Sequence, residues 1–261
     1  MGIVNVTPDS FSDGGRLVNA QAAVQHALTL RDNGAAILDV GGESTRPGAT
    51  AVTVDEEVDR VLPVVAALAG QGCVVSIDTK KPEVMRAALD AGAAMVNDVM
   101  ALRAPGALEA VAASGAAVCL MHMQGEPQSM QQAPCYADVV DEVKQFLQGR
   151  IQACEAAGIA RERLVIDPGF GFGKTLAHNL ALLNRLTELA GWDVPVLVGL
   201  SRKAMLGALT GRDVNAREFA GVAAHLAAIA RGARLLRVHN VAAMRDALAI
   251  WNAVEEQQDG T

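Results

Sequence analysis

The stretch Ala36-Ile37-Leu38-Asp39-Val40, the segment Val54–Ala69 and the run Cys73-Val74-Val75-Ser76-Ile77 together decide the fold. Both short runs are almost continuously apolar, as a strand covered on both faces must be; a half-exposed strand would alternate. The longer segment between them has the apolar stripe of an amphipathic helix, and two parallel strands need such a crossover. The unit recurs along the chain. Further apolar runs lie at Gly2–Val6, Ala94–Asp98, Ala117–Met121, Leu164–Asp167, Val194–Gly199 and Leu235–Val238. Helical patterns fill Ala20–Asn33, Pro82–Ala91, Ala107–Ser114, Val139–Ala157, Leu180–Leu189, Ala216–Ala230 and Ala242–Val254. Gly34, Gly70, Gly92, Gly115, Gly158 and Gly232 follow helical stretches, where a left-handed cap is wanted. Pro82 and Pro105 sit near helix starts, and Asp138 suits an N-cap. Eight strand–helix units spaced about 33 residues apart predict an α/β chain, a single-domain (β/α)8 TIM barrel with eight parallel strands; a large open parallel sheet is the other arrangement. No composition break divides residues 1–261, and the tail from about 255 is expected to fray.

Composition bounds the rest. Apolar residues make up 51% and charged residues 20%, enough for a large core, while 3% aromatics leave that core to Ala, Val, Leu and Ile. Twenty-two Lys and Arg against 29 Asp and Glu give −7, too acidic for a dedicated nucleic-acid binder. No apolar run approaches the roughly 20 residues of a membrane span. Cys73, Cys119, Cys135 and Cys154 are widely spaced and form no C-x-x-C pair, so a reducing cytoplasm is the expected setting. Cys73 and Cys119 fall in apolar runs and read as small buried hydrophobes.

Function is read at the C-terminal ends of the strands, which gather at the active-site face of such a barrel. Those ends carry Asn5, Asp39 with Glu43, Asp78, Asn97 with Asp98, His122, Asp167, Ser201 with Lys203, and Arg237 with His239. Any one of them reads equally well as a loop cap; eight together do not. The loops Thr7–Gly15 and Gly41–Gly48 are polar, Gly/Pro-containing and long enough to act as lids. A third, Asp167–Thr175, imitates a phosphate-binding loop, but Pro168 occupies its obligatory first glycine, so the match is a decoy. Phe11, Phe170 and Phe172 lie in these loops, where an aromatic can stack on a flat ring. Arg46, Arg202, Lys203 and Arg237 at strand ends oppose the acidic balance and suit an anionic substrate.

Residues Asn5–Gly15, Gly42–Gly48, Ser76–Thr79, Asn97–Val99, Asp167–Lys174, Ser201–Lys203 and Arg237–His239 together resemble the dihydropteroate synthase family of pterin-binding enzymes. The likeness runs from residue 2 to about 254. It implies a transferase of folate biosynthesis that joins (7,8-dihydropterin-6-yl)methyl diphosphate to 4-aminobenzoate, releasing diphosphate with the help of Mg2+. It implies that Asp78, Asn97, Met121, Asp167, Lys203 and Arg237 bind the pterin. Asn5, Arg46, Arg237 and His239 would hold the diphosphate, with Asn5 on the metal. Phe11, Thr45, Pro47, Phe172, Ser201 and Lys203 would frame the aminobenzoate, and Asp13 would pair with Arg46 as the lids close. Ala204 stands where the family commonly has Ser, and Asn240 where it has Asp. A homodimer and competition by sulfonamides are further implications.

The implied chemistry is physically reasonable. Carboxylates and an amide can read the donor–acceptor edge of a reduced pterin. Diphosphate can leave before the amine has bonded far, because the electron-rich ring stabilises its methylene cation. The protein must then steady a departing trianion and keep water away. Two other readings are a pterin-dependent methyltransferase domain and a non-catalytic pterin-binding barrel. The first has no need of Asn5–Gly15 or Ser201–Lys203, and the second would have lost Asn5, Arg46, Arg237 and His239.

Overall fold

The computed structural model describes residues 1–6, 16–44, 51–125, 129–131 and 133–256. Eight strands form one sheet in sequence order: β1 Gly2–Asn5, β2 Leu38–Gly41, β3 Val75–Asp78, β4 Met95–Asp98, β5 Ala117–Met121, β6 Leu164–Asp167, β7 Val196–Val198 and β8 Ala233–Leu236. Every pairing is parallel. The sheet closes on itself where Val238, just past β8, bridges to Gly2 and accepts a hydrogen bond from the Ile3 amide at 3.1 Å. The expected closed barrel is therefore present.

The helices coat the outside. They are α1 Arg16–Asp32, α2 Val54–Ala69, α3 Pro82–Asp90, α4 Ala107–Ala112, α5 Val139–Ala156, α6 Leu176–Asn184, α7 Thr187–Ala190, α8 Ala204–Thr210, α9 Glu218–Ile229 and α10 Val241–Glu255. Local chemistry fixes several starts. Thr53 and Glu56 cap α2 reciprocally, and Asp138 accepts the Val140 and Asp141 amides ahead of α5. Thr175 caps α6, so that helix begins four residues before the start expected from its apolar spacing. The expected span Leu180–Leu189 is in fact two helices. Helix α8 has no counterpart in the sequence pattern: its seven residues follow Lys203 directly and are too few to show a period. Gly34, Gly92, Gly158 and Gly232 adopt the left-handed conformation expected of them, but after α2 that role falls to Gly72 and not Gly70.

The two faces of the sheet divide the core. Val40, Val75, Ile77, Val96, Val118, Leu120, Ile166 and Val198 point outward into the main core beneath the helices, all essentially without solvent exposure. Inside the barrel, Met95, Cys119, Val165 and Leu197 pack with Ile37, Ala117 and Leu235 into a plug. Cys119 is thus the buried hydrophobe its run predicts, whereas Cys73, just ahead of β3, is only half-buried. Because side chains alternate along a strand, the residue two positions after each plug residue also faces inward, one layer nearer the C-terminal mouth. That layer holds Asp39, Asn97, Met121, Asp167 and Arg237. The plug closes one end, and the polar layer above it forms the floor of a cavity.

His225 ties α9 to the sheet. Its Nε2 accepts the Leu200 amide at 3.2 Å and its Nδ1 lies 2.8 Å from the Gly221 carbonyl, so the ring is neutral with its proton on Nδ1. Burial lowers its pKa to about 4, and that of His122 to about 3. A histidine depressed in the folded state contributes stability above its unfolded pKa of roughly 6.5, and that contribution is lost as pH falls through the folded value. By themselves the two histidines lower the urea midpoint from pH 6.5 to pH 4, while the raised carboxyls of Asp78 and Asp167 act in the opposite sense. His225→Gln should flatten part of that slope while costing about 1–3 kcal/mol at pH 7.

Candidate active site

Arg237 organises the mouth of the barrel. It leaves the end of β8, and its Nε donates to Asp39 Oδ2 at 2.6 Å while its Nη2 donates to Asp78 Oδ2 at 2.6 Å. Asn97 on β4 donates through Nδ2 to the same Asp39 oxygen at 3.0 Å. The register aligns the partners: Asn5 lies beside Gly41, Gly41 beside Asp78, and Asp78 beside Asn97. Four strand ends thus meet in one row, and Gly41 keeps the middle of that row free of side chain.

Across the cavity, Asp167 at the end of β6 accepts the Gly169 amide at 2.7 Å. Lys203 reaches in from the start of α8, with its ammonium 4.0 Å from the centre of the Phe172 ring. Met121 packs with Val99, Met123 and Met130 against Phe172. His239 and Ser201 meet at the rim, Nδ1 to Oγ 2.9 Å. The fold therefore gathers Asp78, Asn97, Met121, Asp167, Phe172, Ser201, Lys203, Arg237 and His239 at one mouth, with Asn5 in the same strand-end row. Phe11, Asp13, Thr45, Arg46 and Pro47 lie outside the described residues.

Burial sets the electrostatics. It raises the Asp78 carboxyl to about 7, against the pull of Arg237 and with the push of Asp39. Asp167 is raised as well, for the same first reason, with the Gly169 amide and the nearby Lys203 acting against it. Burial lowers Lys203 to about 8, Asp167 opposing. Three aspartates face two cations here, so the cavity favours a ligand rich in N–H donors.

Other strand-end groups serve the scaffold. Asp98 belongs to the outer parity of β4, and its carboxylate accepts the Met100 and Leu102 amides at 2.7 Å each. It stabilises a turn in which Ala101 and Leu102 take left-handed conformations. Glu43 pairs with Lys80 at 3.3 Å and Lys81 at 2.6 Å, and Lys81 also bonds the fully buried Glu57. Asn240 caps α10 by accepting the Ala243 amide at 3.1 Å. Phe170 is 1% exposed and belongs to the core, whereas Phe172 stays at the cavity.

The phosphate-loop look-alike has a different use. Lys174 is buried, and its ammonium donates to the Gly169 carbonyl at 2.9 Å and the Phe172 carbonyl at 3.0 Å and sits 2.9 Å from His122 Nδ1. Its donors are spent holding the loop that carries Asp167 and Phe172. Gly169 is required there: at φ 71° a Cβ would lie 1.9 Å from the His122 carbonyl oxygen. Sequence reasoning misses Asp39 as the partner of Arg237 and Lys174 as the clamp of the loop. Asp39 has a usable signal, since it is the charged residue inside an otherwise apolar strand.

A closed parallel barrel with a mixed-charge cavity at its C-terminal mouth defines a barrel enzyme of small-molecule chemistry. A family model described as pterin binding enzyme matches residues 1–239, and the chain belongs to that family. A protein of Escherichia coli (strain K12) named dihydropteroate synthase is 51% identical over 254 residues, covering 97% of this chain and 90% of that one. The Xanthomonas albilineans dihydropteroate synthase structure with 4-aminobenzoic acid is 59% identical, with a TM-score of 0.93 over 98% of this chain and 92% of the other. A structure of dihydropteroate synthase from the same organism in complex with 7,8-dihydropteroate is 56% identical, with a TM-score of 0.89 over 98% and 92%.

Lys174→Met keeps the stem and removes the donor. It should cost about 2–3 kcal/mol in chemical unfolding, the carbonyls of Gly169 and Phe172 being left buried without their partner. Because that loop carries Asp167 and Phe172, the same variant should also bind a ring ligand of the cavity more weakly in calorimetric titration.

Proposed function

We propose that the chain is a dihydropteroate synthase, a transferase that joins (7,8-dihydropterin-6-yl)methyl diphosphate to 4-aminobenzoate. The observation that carries this reading is the convergence of Asp78, Asn97, Asp167, Lys203 and Arg237 on one cavity in a chain of this family. In this reading Asp78, Asn97 and Asp167 take the N–H groups of the pterin edge. Lys203 donates to the acceptors of that ring, Met121 lines its pocket, and the flat guanidinium of Arg237 stacks on its face. Phe172 and Ser201, with Phe11, Thr45 and Pro47 of the two loops, frame the aminobenzoate. Asp13 pairs with Arg46 over the closed site. The pterin-dependent methyltransferase and the non-catalytic barrel are not favoured by relatives that carry the synthase name at these identities.

The reaction asks for electrostatics more than for a strong base. As the bond to diphosphate lengthens, the pterin carries the positive charge, and Arg46, Arg237 and His239 receive the negative charge on the leaving group. His239 stands at the rim with Nδ1 beside Ser201, and an imidazole donor at that place suits a departing anion. Mg2+ is the proposed cofactor. Among the described residues no group of three His, Cys, Asp or Glu could cage a metal, and Mg2+ needs no cage: one or two protein oxygens, waters and substrate phosphates suffice. Asn5, in the strand-end row at the mouth, has a side-chain oxygen of the required kind. When bound, the ion would neutralise charge on the diphosphate oxygens.

A homodimer is proposed on the outer face, where α8, α9, α10 and the turn before α9 present Phe219 at 87% exposure with Leu209, Val214, Ile250 and Val254. A patch of this kind on neighbouring helices suits a second copy of itself. Cytoplasmic placement and competition by sulfonamides for the aminobenzoate position complete the reading. No helix among the described residues is long and apolar enough to cross a membrane.

Three experiments test it. Diphosphate release from the pterin diphosphate should require Mg2+ and be driven to dihydropteroate by 4-aminobenzoate; release of neither product would defeat the assignment. The kcat/KM for the pterin substrate should fall as pH drops below about 7, since protonated Asp78 no longer accepts two N–H donors. For assembly, analytical ultracentrifugation should find a dimer that Phe219→Lys converts to monomer; a wild-type monomer at micromolar concentration would overturn the proposed face.

A further inference from the structure

Asp39 lies at the floor of the cavity, closed off from solvent. It is 0% exposed, in the inward-facing layer that also holds Asn97, Asp167 and Arg237, and enclosed by strands. An enclosed carboxylate is costly unless it is paired and hydrogen-bonded. Yet both of its donors, Arg237 Nε at 2.6 Å and Asn97 Nδ2 at 3.0 Å, fall on Oδ2, and Oδ1 has no partner among the described residues. Ser76, its register neighbour on β3, also has a buried hydroxyl without one. A packing role alone would be served better by an aliphatic residue of the same size, as Met95, Cys119 and Val165 serve in the plug beneath. The group is kept where it is costly, and it grips two residues that the functional reading places on the ligand.

We propose that Asp39 is a positioning residue that sets the hydrogen-bonding polarity of the cavity by holding Asn97 and Arg237 in fixed orientations. The proposal rests on the functional reading above. An asparagine side chain has two faces, and a half-turn exchanges acceptor for donor. With Nδ2 donating to Asp39, the half-turned amide would set its oxygen against the carboxylate, so that orientation is excluded. Asn97 then offers the ligand its carbonyl oxygen and its remaining N–H, in one order only. For Arg237 the effect is different. Asp39 and Asp78 take Nε and Nη2, which fixes the plane of the guanidinium across the cavity. When a ring engages Asp78, Asp39 keeps its end of that fork, and the plane survives binding. The two orientations hang from a single oxygen.

Asp39→Asn keeps shape and removes charge. Calorimetry should find the affinity for the pterin diphosphate weakened roughly tenfold or more, the range of lost charge-assisted bonds. The KM for 4-aminobenzoate at saturating pterin should stay within about twofold, and in an Arg237→Ala, Asn97→Ala background the same substitution should change pterin affinity by less than about threefold. Equal losses for both ligands, or full additivity in that background, would overturn the proposal. A measurement on the unaltered chain covers the case in which Asp39→Asn does not fold. In the NMR spectrum of the ligand-free protein, one Asn97 side-chain proton should exchange with solvent far more slowly than its twin; two equally fast protons would overturn it. Failure of the wild type to bind the pterin diphosphate would sink the functional reading instead, and the amide protons would still decide whether Asp39 holds Asn97.

Discussion

Arg237 stands between two aspartates that are 198 and 159 residues away in the chain, and the rest of the site depends on that fork. A guanidinium held by Asp39 alone could swing; held by Asp78 alone it would follow that one carboxylate. Between both, its plane is fixed and its charge is shared. The arrangement needs β8 to close against β1 so that β2 and β3 lie within reach. Closure of the barrel and assembly of the polar layer are therefore one event. An open sheet of the same strands would leave Arg237 at one edge and its partners far across.

The plug and the polar layer show how one period serves stability and chemistry together. Ile37, Met95, Val165 and Leu235 fill the interior, and two residues on from them stand Asp39, Asn97, Asp167 and Arg237. The apolar layer keeps water from beneath, so the layer above works in a medium where burial lifts Asp78 and Asp167 and lowers Lys203. Charges in such surroundings interact strongly and stay poised for a ligand that satisfies them. That also makes the cavity electrostatically tense, a usual cost of an active site.

Much of this architecture is legible in the order of residues. Near-continuous apolar runs separated by helical stretches mark parallel strands, and polar residues at their ends mark the mouth. Position and residue type single out Asn97, Asp78, Asp167, Lys203 and Arg237. Asp98 and His122 carry the same signal and are scaffold, because a one-residue step in a strand changes the face and their loops then reclaim the side chains. The helix Ala204–Thr210 is too short to leave a period, and Lys174 conceals a clamp behind the likeness of a phosphate loop.

The chain's own order of residues determined the strand–helix alternation, the two-sided burial of the strands and the chemical types at their ends, since each follows from local spacing and propensity. Pairing was decided by the tertiary structure alone. That Asp39 would meet both Arg237 and Asn97, that Lys174 would close on carbonyls and His122, and that Asp78 would titrate near 7 all depend on distances set by closing the barrel. Contacts between residues 52 to 198 positions apart, and the loss of water around them, have no local signature in a sequence.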